Sequence, residues 1–229
     1  MLLSVVMPVY NERATLEEIV RRVQAEPTPK EIVIVDDCSA DGSLDIARRL
    51  AAASPNVRVV AHDRNRGKGA ALRTGFAEAR GDAVVVQDAD LEYDPADYPR
   101  LLAPIAQGRA DAVFGSRFAG GEAHRVLYYW HSIANRVITT ASNALTNLNF
   151  TDVECGYKVF TRDVARRLAI TENGFGVEIE ITARVARLRV RVFEVGVSYA
   201  GRTYDEGKKI TWRDGVWALW CIAKYNLFA

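Results

Sequence analysis

The first half of the chain alternates short apolar runs with amphipathic segments, and no other feature constrains the fold as strongly. "LLSVVMPV" (2–9), "EIVIVDD" (31–37), "VRVVAH" (57–62), "DAVVVQDAD" (82–90) and "ADAVFGS" (110–116) read as strands. A helix is predicted over about 13–25, with Leu16, Ile19, Val20 and Val23 on one face. Asp41 reads as the N-cap of a helix carrying Leu44, Ala47 and Leu50. "GKGAALRTGFAEA" (67–79) opens a third helix, and the region after Pro95 reads as a fourth. Strands apolar along their whole length need cover on both faces. Strand–helix repeats supply it in an α/β fold with a mostly parallel sheet flanked by helices.

The second half changes character. Residues 126–148 read as a long helix, and "FTDVECGYKVF" (150–160) as a short strand or an ordered loop. Helices are expected near 162–169 and 177–188, a strand over "RVFEVGVSY" (191–199), a basic loop over "AGRTYDEGKKI" (200–210) and a last helix over 211–226. No Pro/Gly/Ser-rich linker or internal repeat divides the chain, so residues 1–229 are expected to form a single domain. A formal net charge of +1 argues against a nucleic-acid partner. Three widely spaced cysteines make neither a disulfide framework nor a zinc pattern, which suits reduced thiols in a cytoplasmic protein. "MLLSVVMPVYNE" lacks the basic flank of a signal peptide, and no run of ~20 apolar residues is present to span a bilayer as a helix.

Each early strand ends in polar residues: "YNE" (10–12), "DDCS" (36–39), "HDRN" (62–65), "DADLE" (88–92) and "GSR" (115–117). In a parallel sheet these endings share the edge where ligands gather. Asp88 and Asp90 lie two apart, a spacing that projects both to one side of an extended segment. Two such carboxylates repel unless a cation joins them, and a hard divalent ion such as Mg²⁺ or Mn²⁺ takes oxygen ligands. Glu92, two further on, can add a third. The alternative is a solvated acidic turn before a helix. Asp36 and Asp37 can accept from ribose hydroxyls or a base N–H, or serve as turn carboxylates. "NRGKGAA" (65–71) is not a phosphate loop, but Gly67-Lys68-Gly69 opens a helix whose free N–H groups would favour an anion. The two glycines can equally serve close packing.

In this order, "VVMPVYNE" (5–12), "IVIVDDCSADGS" (32–43), "NRGKGAALRTGF" (65–76), "QDADLEYDP" (87–95), "GSR" (115–117), "TDVECGYKVF" (151–160) and "GRTYDEGKKI" (201–210) resemble the family 2 glycosyltransferases of the GT-A fold. The resemblance is strongest to the dolichol-phosphate mannose synthase and polyprenyl-phosphate glycosyltransferase group. It implies a Rossmann-like nucleotide-sugar-binding part over about 1–117 and an acceptor part over about 118–229. Pro8, Tyr10 and Glu12 are implied to line the nucleotide pocket, and Val35 and Asp37 to contact base or ribose. Asp88, Ala89 and Asp90 are implied to bracket a metal and the diphosphate, with Glu92 as a third candidate ligand. Lys68 and Arg117 fall on the donor side, while Arg117, Arg125, Arg202, Lys208 and Lys209 are the cations for phosphate oxygens. Asp90, Arg117 and Asp152 form the implied catalytic set. Many relatives carry Asp-x-x-Ser/Thr-Gly-Phe-Arg where this chain has "DVECGYK" (152–158), and some carry C-terminal membrane helices.

The implied reaction is inverting and uses Mg²⁺ or Mn²⁺. It moves a hexose from a nucleotide sugar, GDP-mannose ahead of UDP-glucose, to a polyprenyl or dolichyl phosphate. A phosphate acceptor is already anionic and needs positioning cations; a glycan hydroxyl would need a base, for which Asp152 is the candidate. A third alternative is a non-catalytic nucleotide-binding protein. A lipid acceptor also needs an apolar landing zone at the membrane surface. Trp212, Trp217, Trp220, Tyr225 and Phe228, with Arg213 and Lys224, suit an interfacial helix, whereas Leu219 and Ile222 suit core packing. Tyr128, Tyr129 and Trp130 present the same choice.

Overall fold

The computed structural model describes residues 1–120, 125–126, 128–202 and 212–228, with side chains at the last segment from residue 214. Seven strands form one sheet: β1 (Leu3–Val9), β2 (Lys30–Asp36), β3 (Val57–Ala61), β4 (Ala83–Val86), β5 (Ala112–Ser116), β6 (Lys158–Thr161) and β7 (Val192–Gly196), in the order β3-β2-β1-β4-β6-β5-β7. The helices are α1 (Leu16–Ala25), α2 (Ser43–Ala53), α3 (Lys68–Glu78), α4 (Tyr98–Ala106), α5 (Tyr129–Thr146), α6 (Arg162–Arg167), α7 (Val177–Leu188) and α8 (Trp212–Ala223), the last continued by a π turn over Lys224–Phe228.

Alternation along the strands divides the core into two layers. Val5 and Met7 of β1 face Leu16, Ile19, Val20 and Val23 of α1. Val6 faces Leu72 and Phe76 of α3. That second layer also takes in Val177, Ile179 and Ile181 of α7 and Ala218, Cys221 and Ile222 of α8. The three cysteines are free thiols, and no described helix is long and apolar enough to cross a membrane.

The structure fills in one point the sequence left open and departs from the sequence reading at two others. β6 runs antiparallel between β4 and β5, pairing Val84 with Phe160 and Val113 with Val159. Its N-terminal end therefore meets the C-terminal ends of its neighbours, which carries the preceding segment 152–157 to the polar rim. Asp41 is not the N-cap of α2; Gly42 is, and Asp41 accepts from the backbone N–H of Ser43 (2.9 Å) and of Arg13 (3.0 Å). β4 ends at Val86, so Asp88 and Asp90 are not on a strand. A turn with Leu91 in the left-handed region (φ 64°) sets their directions instead.

Candidate functional site

The turn after β4 brings three acidic side chains against two cations. The Lys68 ammonium lies 2.8 Å from Asp88 Oδ1. Arg202 reaches Asp90 Oδ2 at 3.0 Å and Glu92 Oε1 at 3.3 Å, and its Nη1 stands 3.8 Å from Glu12. Burial, then the charges of Asp88 and Glu92, push the Asp90 carboxyl up to about 7 against the pull of Arg202. Two cations thus leave the acidic cluster undercompensated.

The cluster continues inward as a buried charge chain that sequence reasoning missed. Lys68 also lies 3.0 Å from Glu178 Oε1, and Glu178 Oε2 accepts from Lys158, which is fully buried. Lys158 donates as well to the carbonyls of Val153 and Cys155. Burial opposes the Lys68 charge, but Asp88 and Glu178 outweigh it and hold the ammonium protonated. Burial also opposes the Glu178 charge, which Lys158 and Lys68 sustain. The sequence signal is faint: an acidic residue in the first turn of α7 and a lysine opening β6.

Beyond β5, Arg117 and Asp152 form a bidentate pair. Arg117 Nε donates to Asp152 Oδ2 at 2.7 Å and Nη2 to Oδ1 at 2.8 Å, while the Arg117 backbone N–H reaches Oδ2 at 3.0 Å. Nη2 further donates to Asn135 Oδ1 (3.2 Å), and the guanidinium lies over the Tyr199 ring at 5.2 Å. Asp152 is fully buried. Such an arrangement orients a guanidinium fork and engages both carboxylate oxygens.

At the rim beyond β1, Tyr10 is exposed, beside Glu12, whose carboxylate accepts from Thr15 Oγ1 at 3.0 Å. Pro8 lies within β1 and is partly buried. The Val35 side chain is fully buried beneath α3 with Val33 and Ala71, so it does not reach the rim. Asp37 does reach it but organises the β3–α3 loop: its carboxylate accepts from the N–H groups of Arg66 (2.9 Å) and Gly67 (2.7 Å) and bonds His62 Nδ1 (2.7 Å). Its neighbour Asp36 keeps a buried Oδ1 with no hydrogen-bond partner among the described residues. The expectation of free N–H groups at the start of α3 is corrected. Gly69 N–H donates to the Asn173 carbonyl at 2.7 Å, Ala70 N–H lies 3.4 Å from it, and Gly67 N–H is held by Asp37. The two glycines serve packing, since a Cβ at Gly69 would stand 2.1 Å from the Glu172 carbonyl oxygen.

Among the described residues no group of three or more His, Cys, Asp or Glu side chains is arranged to hold a metal ion. Glu92 is turned to Arg202 and to the Tyr199 hydroxyl (2.9 Å). The pair Asp88 and Asp90, by contrast, is a hard oxygen donor set with an excess of mutual repulsion, which suits a divalent cation. Ala89 between them is buried. Arg125 ties its guanidinium to the Gly201 carbonyl (3.1 Å), next to Arg202. Lys208 and Lys209 lie outside the described residues.

Comparison with known proteins matches residues 4–169 to the model of glycosyl transferase family 2. An undecaprenyl-phosphate mannosyltransferase from Micrococcus luteus is 32% identical over 213 residues, covering 89% of this chain and 85% of that one. A dolichol-phosphate mannosyltransferase from Pyrococcus furiosus is 32% identical over 216 residues; the match covers 92% of this chain but 61% of that longer protein. The fold is that of glucosyl-3-phosphoglycerate synthase from Mycobacterium tuberculosis. Its complex with phosphoglyceric acid superposes with a TM-score of 0.74 at 21% identity, over 98% of this chain and 79% of that one. Its complex with Mn²⁺, uridine diphosphate and phosphoglyceric acid gives 0.72 at 21% identity, over 99% and 79%. At that identity the likeness establishes the fold alone.

Proposed function

The chain belongs to glycosyl transferase family 2, and from that premise we propose that it moves a hexose from a nucleoside diphosphate sugar to a polyprenyl phosphate, with inversion at the sugar and with GDP-mannose as the favoured donor. The observation that carries this reading is the Arg117–Asp152 pair. Asp152 spends both oxygens on Arg117, so the rim offers an oriented cation there and not a free base. A phosphate monoester, already anionic, needs the first and not the second. The relatives named as undecaprenyl- and dolichol-phosphate mannosyltransferases support the same acceptor class and sugar.

In this reading the donor lies over the part formed by about 1–117, with its diphosphate at Asp88 and Asp90, and the acceptor over about 118–229. Asp88 and Asp90 would hold Mg²⁺ or Mn²⁺, which supplies Lewis-acid neutralisation of the departing diphosphate. Lys68 and Arg202 stand on the same carboxylates and add preorganised positive charge within reach of those phosphates. Arg117 orients the acceptor phosphate, whose oxygen forms the new bond to the anomeric carbon as the diphosphate leaves with the old bonding pair. Glu12 and Tyr10 border the nucleotide. The exposed aromatics support a peripheral seat at a membrane surface. Tyr129 and Trp130 begin α5 at 69% and 75% exposure, and Val216, Trp217, Leu219 and Trp220 stand out from α8, which packs beside it.

The test is a transfer assay with labelled GDP- and UDP-hexoses and Mn²⁺ or Mg²⁺, each with and without polyprenyl phosphate, beside Asp90→Ala. Label entering the lipid phase only with polyprenyl phosphate, and lost in the variant, is the expected result. Full activity in Asp90→Ala or in a metal-chelated sample would overturn the mechanism.

A further inference from the structure

The segment from Asp152 to Gly156 spans the distance between the two phosphate sites. Asp152 at one end holds Arg117. Gly156 at the other lies against the carboxylate pair, where a Cβ would stand 2.5 Å from Asp88 Oδ2, and its N–H donates to Tyr93 Oη at 3.0 Å. Glu154 sits midway. Its Oε1 is buried and has no hydrogen-bond partner among the described residues. Its electrostatic neighbours are Glu178, Lys158, Arg117 and Asp152, and it also lies near the Cys221 thiol of α8. A buried carboxyl oxygen left without a donor is costly in a finished fold, and a bound ligand that brings a hydroxyl removes that cost.

We propose that Glu154 is a sugar-recognition residue, accepting a hydrogen bond from one hydroxyl of the hexose held between the donor diphosphate and the acceptor phosphate. This rests on the donor and acceptor placement given above. The segment is anchored at the Arg117 end by Asp152 and at the Asp88 end by Gly156, so Glu154 belongs to the stretch that joins the two sites. Its orphaned oxygen is an acceptor that neither phosphate site uses in this structure.

The experiment is calorimetric binding, with Mn²⁺ and no acceptor, of a nucleoside diphosphate hexose, of the same nucleoside diphosphate without sugar, and of donors each lacking one hydroxyl. It compares the wild-type chain with Glu154→Ala and with Glu154→Gln, which keeps shape and an acceptor oxygen. Glu154→Ala is expected to weaken the sugar donor about tenfold while leaving the bare diphosphate unchanged, the scale of one net hydrogen bond. Glu154→Gln is expected to lie between, and for one deoxy donor wild type and Glu154→Ala should bind alike. Equal weakening of donor and bare diphosphate, or no change in either, overturns the inference and leaves the transferase reading standing. A wild-type chain that binds no nucleotide overturns the donor site itself, and this inference with it. Circular dichroism and thermal melting of both variants separate lost recognition from lost folding.

Discussion

Arg117 and Asp152 together show how one side chain's role depends on its partner. Read alone, Asp152 is a candidate base; paired through both oxygens, it becomes the group that aims Arg117. Arg117→Lys replaces the fork by a point charge that cannot make both bonds. Transfer to polyprenyl phosphate in that variant is expected to fall by about 10²-fold or more, with nucleotide affinity unchanged, as steady-state kinetics and donor titration would show. Glu154 makes a pH prediction. Burial and the nearby Glu178 charge push its carboxyl up to about 7, from an ordinary value of 4.5. Between those values the folded chain holds a proton that the unfolded chain releases. Glu154 therefore contributes stability below about 4.5 that is lost as pH rises through about 7. Glu154→Gln should melt higher relative to wild type at pH 8 than at pH 5, and an equal difference at both would refute the assignment. That Asp88 and Asp90 come together is legible in their spacing. The Lys68–Glu178–Lys158 chain is not, because burial of an ion pair arises from contacts between residues far apart in sequence.

At the scale of elements, the first four strands and the helices between them are legible because their apolar faces repeat with the right period. The placement of β6 is not. Four residues, Lys158–Thr161, carry no signal for direction or partner, and the groove between β4 and β5 decides both. The start of α3 is legible only as two glycines. Their reason, the close approach of the backbone at Glu172 and Asn173, is a tertiary fact. Gly69→Ala is expected to destabilise the fold by about 1–3 kcal/mol in denaturant unfolding, since a backbone carbonyl cannot step aside as a flexible side chain can. Lys158→Met should cost more, about 3–5 kcal/mol, by leaving the Glu178 carboxylate in the interior with one cation fewer. Lys158→Met combined with Glu178→Gln should recover part of that loss. No recovery would mean that the two side chains do not act as a pair.

Over the whole molecule, one sheet edge carries the polar chemistry while α5 and α8 carry exposed aromatics. α8 and the π turn after it satisfy each sequence reading only in part: Ile222 is buried and Trp217 and Trp220 are exposed as expected, whereas Leu219, read as core, is exposed and Tyr225, read as interfacial, is buried. The amphipathic pattern is legible, but which aromatics remain exposed depends on how α5 packs beside α8. Trp217→Ser with Trp220→Ser is expected to lower sedimentation with anionic phospholipid vesicles several-fold while nucleotide binding is retained; unchanged sedimentation would remove this face from the account. The central claim is that the acceptor nucleophile is a lipid phosphate, held by an arginine and not activated by a base. The measurement that tests it most directly compares transfer to a polyprenyl phosphate with transfer to the corresponding polyprenol, at matched concentration in detergent with Mn²⁺ and labelled donor. The account predicts product from the phosphate and none above background from the alcohol. Comparable transfer to the alcohol would contradict it, because the site would then have to take a proton from a hydroxyl.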